Sequence, residues 1–202
     1  MMTTRITLIR HGETDWNTIK RWQGHADVGL NDTGRMQAAE AGFSLLNAGV
    51  QRIISSDLSR AYETAQIINR YLNVPLSSDT RLREIHVGDL QGLTSEEVET
   101  QYPAWSATFK NLPYLERHFP NGESFADVGE RALKCLHEVI TAHPQQHSLM
   151  VTHGGVVRVL LKIWLDLMPE DHMRNCGITR LIWGDGLWMA EGVNQPWSEV
   201  VW

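Results

Sequence analysis

Two histidines in this chain each follow an apolar run and precede a glycine. The first lies in Ile6-Thr7-Leu8-Ile9-Arg10-His11-Gly12-Glu13-Thr14, the second in Ser148-Leu149-Met150-Val151-Thr152-His153-Gly154-Gly155. A neutral imidazole can attack phosphorus and carry a phosphoryl group. A second imidazole can hydrogen-bond an equatorial oxygen and stabilise charge in the transferring group. His11 is the candidate nucleophile and His153 its opposing partner. Gly12 and the Gly154-Gly155 pair let the backbone approach a ligand closely. Either histidine taken alone reads equally as a core residue at a strand end.

Arg10 and Arg60 are the candidate anion ligands, because a guanidinium offers a planar fork of donors that matches phosphoryl oxygens. The competing reading of Arg60 is a solvated arginine paired with Asp57 or Glu63. Glu84, in Arg81-Leu82-Arg83-Glu84-Ile85, is the candidate general acid for a leaving oxygen. Its competing reading is a salt bridge to Arg81 or Arg83. Glu13 is the rival acid, and its place just after the turn fits bracing an arginine instead.

Alternating strands and helices must position these groups. A strand over residues 5–9 is followed by a helix starting at Asn31 or Asp32, with Met36, Ala39, Phe43 and Leu46 as its apolar stripe and Gly49 as its stop. A short strand over 52–55 precedes a helix capped by Ser56 or Asp57, with Ala61, Ala65 and Ile68 inward. Residues 80–122 read as an irregular excursion with three prolines, the kind of segment from which a substrate cap is built. A long helix from Ser124 to Ala142, a strand over 148–152 and a helix over 156–165 follow. Two strands then flank Gly184-Asp185-Gly186, a hairpin signal. The pattern predicts a single domain over 1–202: a three-layer α/β/α sandwich with a mixed, mostly parallel sheet and a small cap-like excursion at about 85–122. In open sheets of this kind the ligand crevice lies at the carboxyl ends of the strands. Residues 194–202 read as a tail, with terminal apolar residues that argue for some packing.

The 202 residues suit one domain with a substantial core. A net charge of −6 excludes bulk attraction to nucleic acid or an anionic membrane, and makes a local arginine cluster more pointed. No apolar stretch approaches a membrane span. Cys135 and Cys176 have neither metal nor redox spacing and read as reduced and buried. With no signal-peptide pattern, the expected compartment is the cytoplasm. Nine histidines raise a metal hypothesis, yet no Cys-x-x-Cys spacing occurs, and no metal and no cofactor are expected. His25 and His86 lie near enough in sequence to reach the cleft; His118, His137, His143, His147 and His172 read as surface or helix residues.

Taken together, the blocks resemble the histidine phosphatase superfamily, also called the phosphoglycerate mutase-like family. They are Arg10-His11-Gly12-Glu13-Thr14 with Asn17, Gln23-Gly24, Ser55-Ser56-Asp57-Leu58-Ser59-Arg60-Ala61 with Thr64-Ala65, Leu82-Arg83-Glu84 with Gly88 and Gln91-Gly92, Asn121-Gly122-Glu123-Ser124, and Thr152-His153-Gly154-Gly155. The resemblance implies a phosphohistidine on His11 and a phosphate pocket completed by Arg10, Arg60 and His153. It also implies Glu84 as proton donor, and contacts from Asn17, Gln23, Gly24 and the Gly154 backbone.

Within the family, cofactor-dependent phosphoglycerate mutases carry a tyrosine, a lysine and an arginine pair that correspond here to Val87, a position near Ser95, and a 111–119 segment with Arg117 in place of the arginine pair. These differences favour a phosphatase, metal-independent and acting on a small phosphorylated metabolite. The family's phosphatases include α-ribazole-5′-phosphate phosphatases. A mutase and a non-catalytic phospho-ligand or protein-binding module are the alternatives, and the chain is expected to be a monomer or homodimer. Trp16, Trp22, Trp105 and the 102–119 excursion could line a site for an organic leaving group.

Overall fold

In the computed structural model the described residues are 3–169 and 172–202. Six strands form one sheet in the order β3-β2-β4-β1-β5-β6. They are β1 (Thr4–Arg10), β2 (Arg52–Ser55), β3 (Leu76–Ser78), β4 (His147–Thr152), β5 (Ile178–Gly184) and β6 (Leu187–Gln195). β1 to β4 run parallel, while β5 is antiparallel to both β1 and β6. The expected mixed, mostly parallel sheet is therefore present. Asp185 and Gly186 join β5 to β6, both at positive φ, as a two-residue I′ hairpin loop requires.

Alternation along the strands divides the core into two layers. Ile6, Leu8, Ile54 and Met150 face a cluster with α6 (Phe125–Ala142) and α7 (Gly154–Leu165). Their neighbours Ile9, Ile53, Leu149 and Val151 face a cluster with α2 (Asp32–Ser44) and α3 (Ser59–Leu72). β4 is buried at every residue, as a central strand covered on both faces must be. The remaining helices are short: α1 (Asp15–Thr18), α4 (Ser95–Gln101) and α5 (Pro103–Phe109). The last two lie in the segment expected to be irregular; Thr94 with Glu97 and Pro103 at the first helical turn supply their starts.

The apolar stripe expected for α2 faces the wrong way. Met36, Phe43 and Leu46 are 60%, 67% and 48% exposed. The buried face is Gly34, Ala38, Ala41 and Gly42. Close packing is the reason: a Cβ on Gly42 would lie 3.1 Å from Ile68 Cα, and one on Gly34 would lie 2.1 Å from the Glu13 carbonyl oxygen. Small residues let the helix approach, so the large ones point outward. The helix also ends at Ser44, short of Gly49.

α3 is not capped by Ser56 or Asp57. Its N-cap is Leu58, because those two side chains are engaged elsewhere, Asp57 with Arg83 and Ser56 with His153. Asp27 accepts from the Ser59 N–H at 2.7 Å and serves that end instead. Ser124 caps α6 with a reciprocal Asp127 contact. Both cysteines are free and buried. Trp197, Val200 and Trp202 pack against the α2–α3 side of the core, so the tail is held. Among the described residues no helix is long and apolar enough to cross a membrane.

Candidate active site

Register places the two histidines side by side. Arg10 pairs with Thr152 at the carboxyl ends of adjacent parallel strands, and His11 and His153 are the next residues. Their ring centroids lie 5.2 Å apart. Gly12 has no room for a side chain, since a Cβ would come within 2.4 Å of Gly34 O. The Gly12 N–H donates to Thr64 Oγ1 at 3.0 Å.

His11 Nδ1 lies 2.7 Å from the Gly12 carbonyl oxygen. A carbonyl only accepts, so Nδ1 carries the proton and Nε2 keeps its lone pair. Burial and the positive charges of Arg10 and Arg60 hold the His11 pKa well below the ordinary value. Burial, then Arg60, His11 and Arg10, do the same to His153. Both rings are thus neutral at physiological pH, the form a nucleophile needs.

Arg60 is fully buried. Its Nη1 and Nη2 donate to the carbonyls of Ala26 and Gly24 at 2.7 and 2.9 Å. Burial lowers its pKa to about 10, which leaves it charged. Asp57 pairs with Arg83 and Glu63 with Arg35, so the surface-pair reading of Arg60 fails. Arg10 donates to the Met173 carbonyl. Four buried polar atoms of this cluster lack a partner among the described residues: Arg10 Nε, Arg60 Nε, His153 Nδ1 and Gln23 Oε1.

Glu84 also escapes its ion-pair reading. Arg81 binds Asp79 and Glu138, and Arg83 binds Asp57. The Glu84 carboxylate instead accepts from the N–H groups of Ile85 and Gly155, at 3.0 and 3.3 Å. Gly155 is required there, because a Cβ would stand 2.5 Å from Glu84 Oε1. Arg131, on α6, holds this strap with all five of its donors: two on Glu123 and one each on the carbonyls of Arg81, Arg83 and Glu84. Among the described residues Glu13 braces no arginine; its carboxylate accepts from Asn31 Nδ2 at 3.0 Å.

The cleft over this cluster has a volume of about 270 Å³. Arg10, His11, Asn17, Gln23, Gly24, Arg60, Glu84 and Gly154 line it; His153 lies against His11, without surface of its own. Trp22, Ile85, Val87 and Phe119 form an apolar wall. His25 and His86 are not on the wall: they pack edge to face at 5.0 Å, and His25 Nε2 donates to the Glu84 carbonyl. His147 is no surface residue; it is buried in β4 between Thr7 and Ala48. Trp16 and Trp105 do not reach the cleft either.

The cleft also holds Arg21, Arg158 and Met173, which the sequence reading passed over, and His172, which is exposed as expected yet borders the cleft from a loop. Arg158 stands four residues after Gly154 on α7, one helical turn along the same face, a spacing that could have flagged it. His172 and Met173 arrive on a loop, where no periodicity marks them. Among the described residues no three His, Cys, Asp or Glu side chains are grouped to hold a metal ion.

The family model described as "Histidine phosphatase superfamily (branch 1)" matches residues 6–196. The chain belongs to the histidine phosphatase superfamily. Within it, the chain is 37% identical over 179 residues to a glucosyl-3-phosphoglycerate phosphatase of Mycolicibacterium vanbaalenii, covering 85% of this chain and 78% of that one. It is 33% identical over 193 residues to a probable phosphoglycerate mutase of Proteus mirabilis, covering 93% and 89%. A solved mycobacterial glucosyl-3-phosphoglycerate phosphatase in complex with VO3 superposes with a TM-score of 0.84 at 32% identity, covering 95% of this chain and 98% of that one.

Proposed function

We propose that this histidine phosphatase superfamily member is a metal-independent phosphomonoester hydrolase that works through a phosphohistidine on His11. One observation carries the reading: two neutral, adjacent imidazoles lie beside buried Arg60 and half-buried Arg10, whose buried Nε donors have no partner among the described residues. Buried donors left unpaired are costly, and a tetrahedral oxyanion would satisfy them.

In the first step His11 Nε2 attacks phosphorus and the ester P–O bond breaks. The Glu84 carboxyl gives its proton to the departing oxygen. In the second, the Glu84 carboxylate takes a proton from water, the water oxygen attacks phosphorus, and the N–P bond breaks to release phosphate. His11 returns neutral and Glu84 protonated. Arg10 and Arg60 neutralise the phosphoryl oxygens throughout, and Asn17, Gln23 and the Gly24 and Gly154 backbone border the group. The organic part of the ester lies against Trp22 and Phe119, with Ile85, Val87 and Phe119 supplied by the 85–122 segment acting as a cap. A cleft of about 270 Å³ suits a small metabolite, just below the ~300–1,000 Å³ typical of ligand pockets.

Rapid-quench mass spectrometry with a phosphomonoester tests the assignment. Label is expected on His11, and His11→Ala should abolish both label and turnover. Label on another residue overturns it. The relatives named as probable phosphoglycerate mutases favour a second reading. Supplying 3-phosphoglycerate with 2,3-bisphosphoglycerate separates the two: phosphate release is expected to outpace formation of 2-phosphoglycerate, and the reverse result makes the protein a mutase.

A further inference from the structure

Three adjacent parallel strands end together, and each hands one polar side chain to the same spot. β1 is followed by His11, β4 by His153 and β2 by Ser56; Ser55 pairs with Val151 as Arg10 pairs with Thr152. Ser56 and His153 are both fully buried. Ser56 Oγ lies 2.8 Å from His153 Nε2. The same oxygen accepts from the Leu58 N–H at 3.3 Å.

The hydroxyl proton decides the arrangement. Backbone N–H groups only donate, so the Leu58 contact uses an oxygen lone pair. The one acceptor beside the Ser56 hydroxyl among its hydrogen-bond partners here is His153 Nε2. If Nε2 carried the proton instead, the buried serine proton would be left without an acceptor, at a cost of about 1–3 kcal/mol. A neutral imidazole has one N–H, so donation by Ser56 to Nε2 puts the ring proton on Nδ1. That nitrogen is buried and has no partner among the described residues.

We propose that Ser56 is a positioning residue: its hydroxyl donates to His153 Nε2, fixing the tautomer in which Nδ1–H is offered to a phosphoryl oxygen bound between His11, Arg10 and Arg60. The catalytic half of this proposal rests on the phosphatase reading above; the tautomer does not. Ser56 and Gly12 then act in parallel. Gly12 holds the His11 proton on Nδ1 to free Nε2 for attack, while Ser56 holds the His153 proton on Nδ1 to make a donor. Opposite duties of two chemically identical rings follow from an acceptor beside one and a donor beside the other.

Long-range 1H–15N correlation of the labelled protein reads the tautomer directly, with and without inorganic vanadate. The Nδ1–H form of His153 is expected in the wild type. Ser56→Ala should lose that preference, bind inorganic phosphate more weakly and lower kcat by about 10–100-fold, the size seen when the outer partner of a metal-ligating imidazole is removed. KM should change less than kcat, and Ser56→Thr, which keeps the hydroxyl, should recover the Nδ1–H signal. A wild-type His153 protonated at Nε2 overturns the proposal, even if Ser56→Ala does not fold. So does a folded Ser56→Ala that binds phosphate and turns over like the wild type. A wild type with the Nδ1–H signal and phosphate binding, but no hydrolysis of any phosphomonoester, overturns the phosphatase reading and leaves the tautomer assignment standing.

Discussion

At the scale of residues, Arg60 is held like a core side chain although it carries a charge. Two of its nitrogens are spent on the Gly24 and Ala26 carbonyls, and the third has no protein partner. Lysine cannot reproduce that fork, because its ammonium is a single point. Arg60→Lys and Arg60→Ala are both expected to lower kcat/KM by at least about 100-fold, the typical cost of removing one donor from an oxyanion site. Activity of Arg60→Lys near wild type, measured by phosphate release, would remove the guanidinium from the site. For Glu84 the informative change is Glu84→Gln, which keeps shape and removes the proton. Alkyl esters need protonation of the leaving oxygen far more than activated aryl esters do. The variant should therefore lose much more activity on alkyl than on aryl phosphates; equal losses on the two, assayed side by side, would take the acid role from Glu84.

Elements place these residues through close contacts that hydrophobicity alone does not describe. α2 meets α3 through glycine and alanine, and its large apolar residues face out. Gly34→Ala puts a Cβ against the Glu13 backbone, so urea melts should show a loss of about 1–3 kcal/mol or more. Met36→Lys and Phe43→Ser, on the exposed side of the same helix, should stay within about 0.5 kcal/mol. The reverse ranking would return the helix to the orientation its apolar stripe predicts. On the other face, Arg131 connects α6 to the strap that carries Glu84. Its five donors are all engaged, so its loss leaves several carbonyls short and Glu84 loosely placed.

For the whole molecule, buried histidines tie stability to pH. Burial lowers the pKa of His11, His153, His147 and His25. The unfolded chain takes up protons at these positions near pH 6.5, whereas the folded protein resists until lower pH. The unfolded state therefore binds more protons in that window, and unfolding free energy rises with pH through it. Stability should be flat between about pH 7.5 and 8 and fall as pH drops below about 6.5, by up to ~1.4 kcal/mol per pH unit for each of the three buried histidines and by less for the half-exposed His25. Urea melts of the phosphate-free protein from pH 8 to 5 check this. His153→Asn, which removes one proton site, should flatten the slope; an unchanged slope would mean that His153 titrates alike in both states.

Much of the chemistry was legible along the chain because it is local. A strand followed at once by Arg-His-Gly, and another by His-Gly-Gly, announces paired imidazoles at strand ends, since residues after a buried strand must emerge at the sheet's edge. The hairpin, the long helix after Ser124 and the α3 inward face were legible for the same reason: each depends on a few neighbours in sequence. What lay beyond the chain's local order came from packing. Which side of α2 faces inward depends on how near α3 can approach, and small residues win that contest against a hydrophobic stripe. Glu84 is free of Arg81 and Arg83 because Asp57 and Glu138 arrive from other elements, and Asp79 stands two residues before Arg81, to occupy them. His172 joins the cleft from a loop with no period. Ser56 meets His153 across 97 residues of sequence because β2 and β4 are neighbours in register. Sequence by itself determined which groups could do chemistry and that two strand ends would present them. Tertiary structure decided which partners each group keeps, because hydrogen bonds and ion pairs are won by proximity in space.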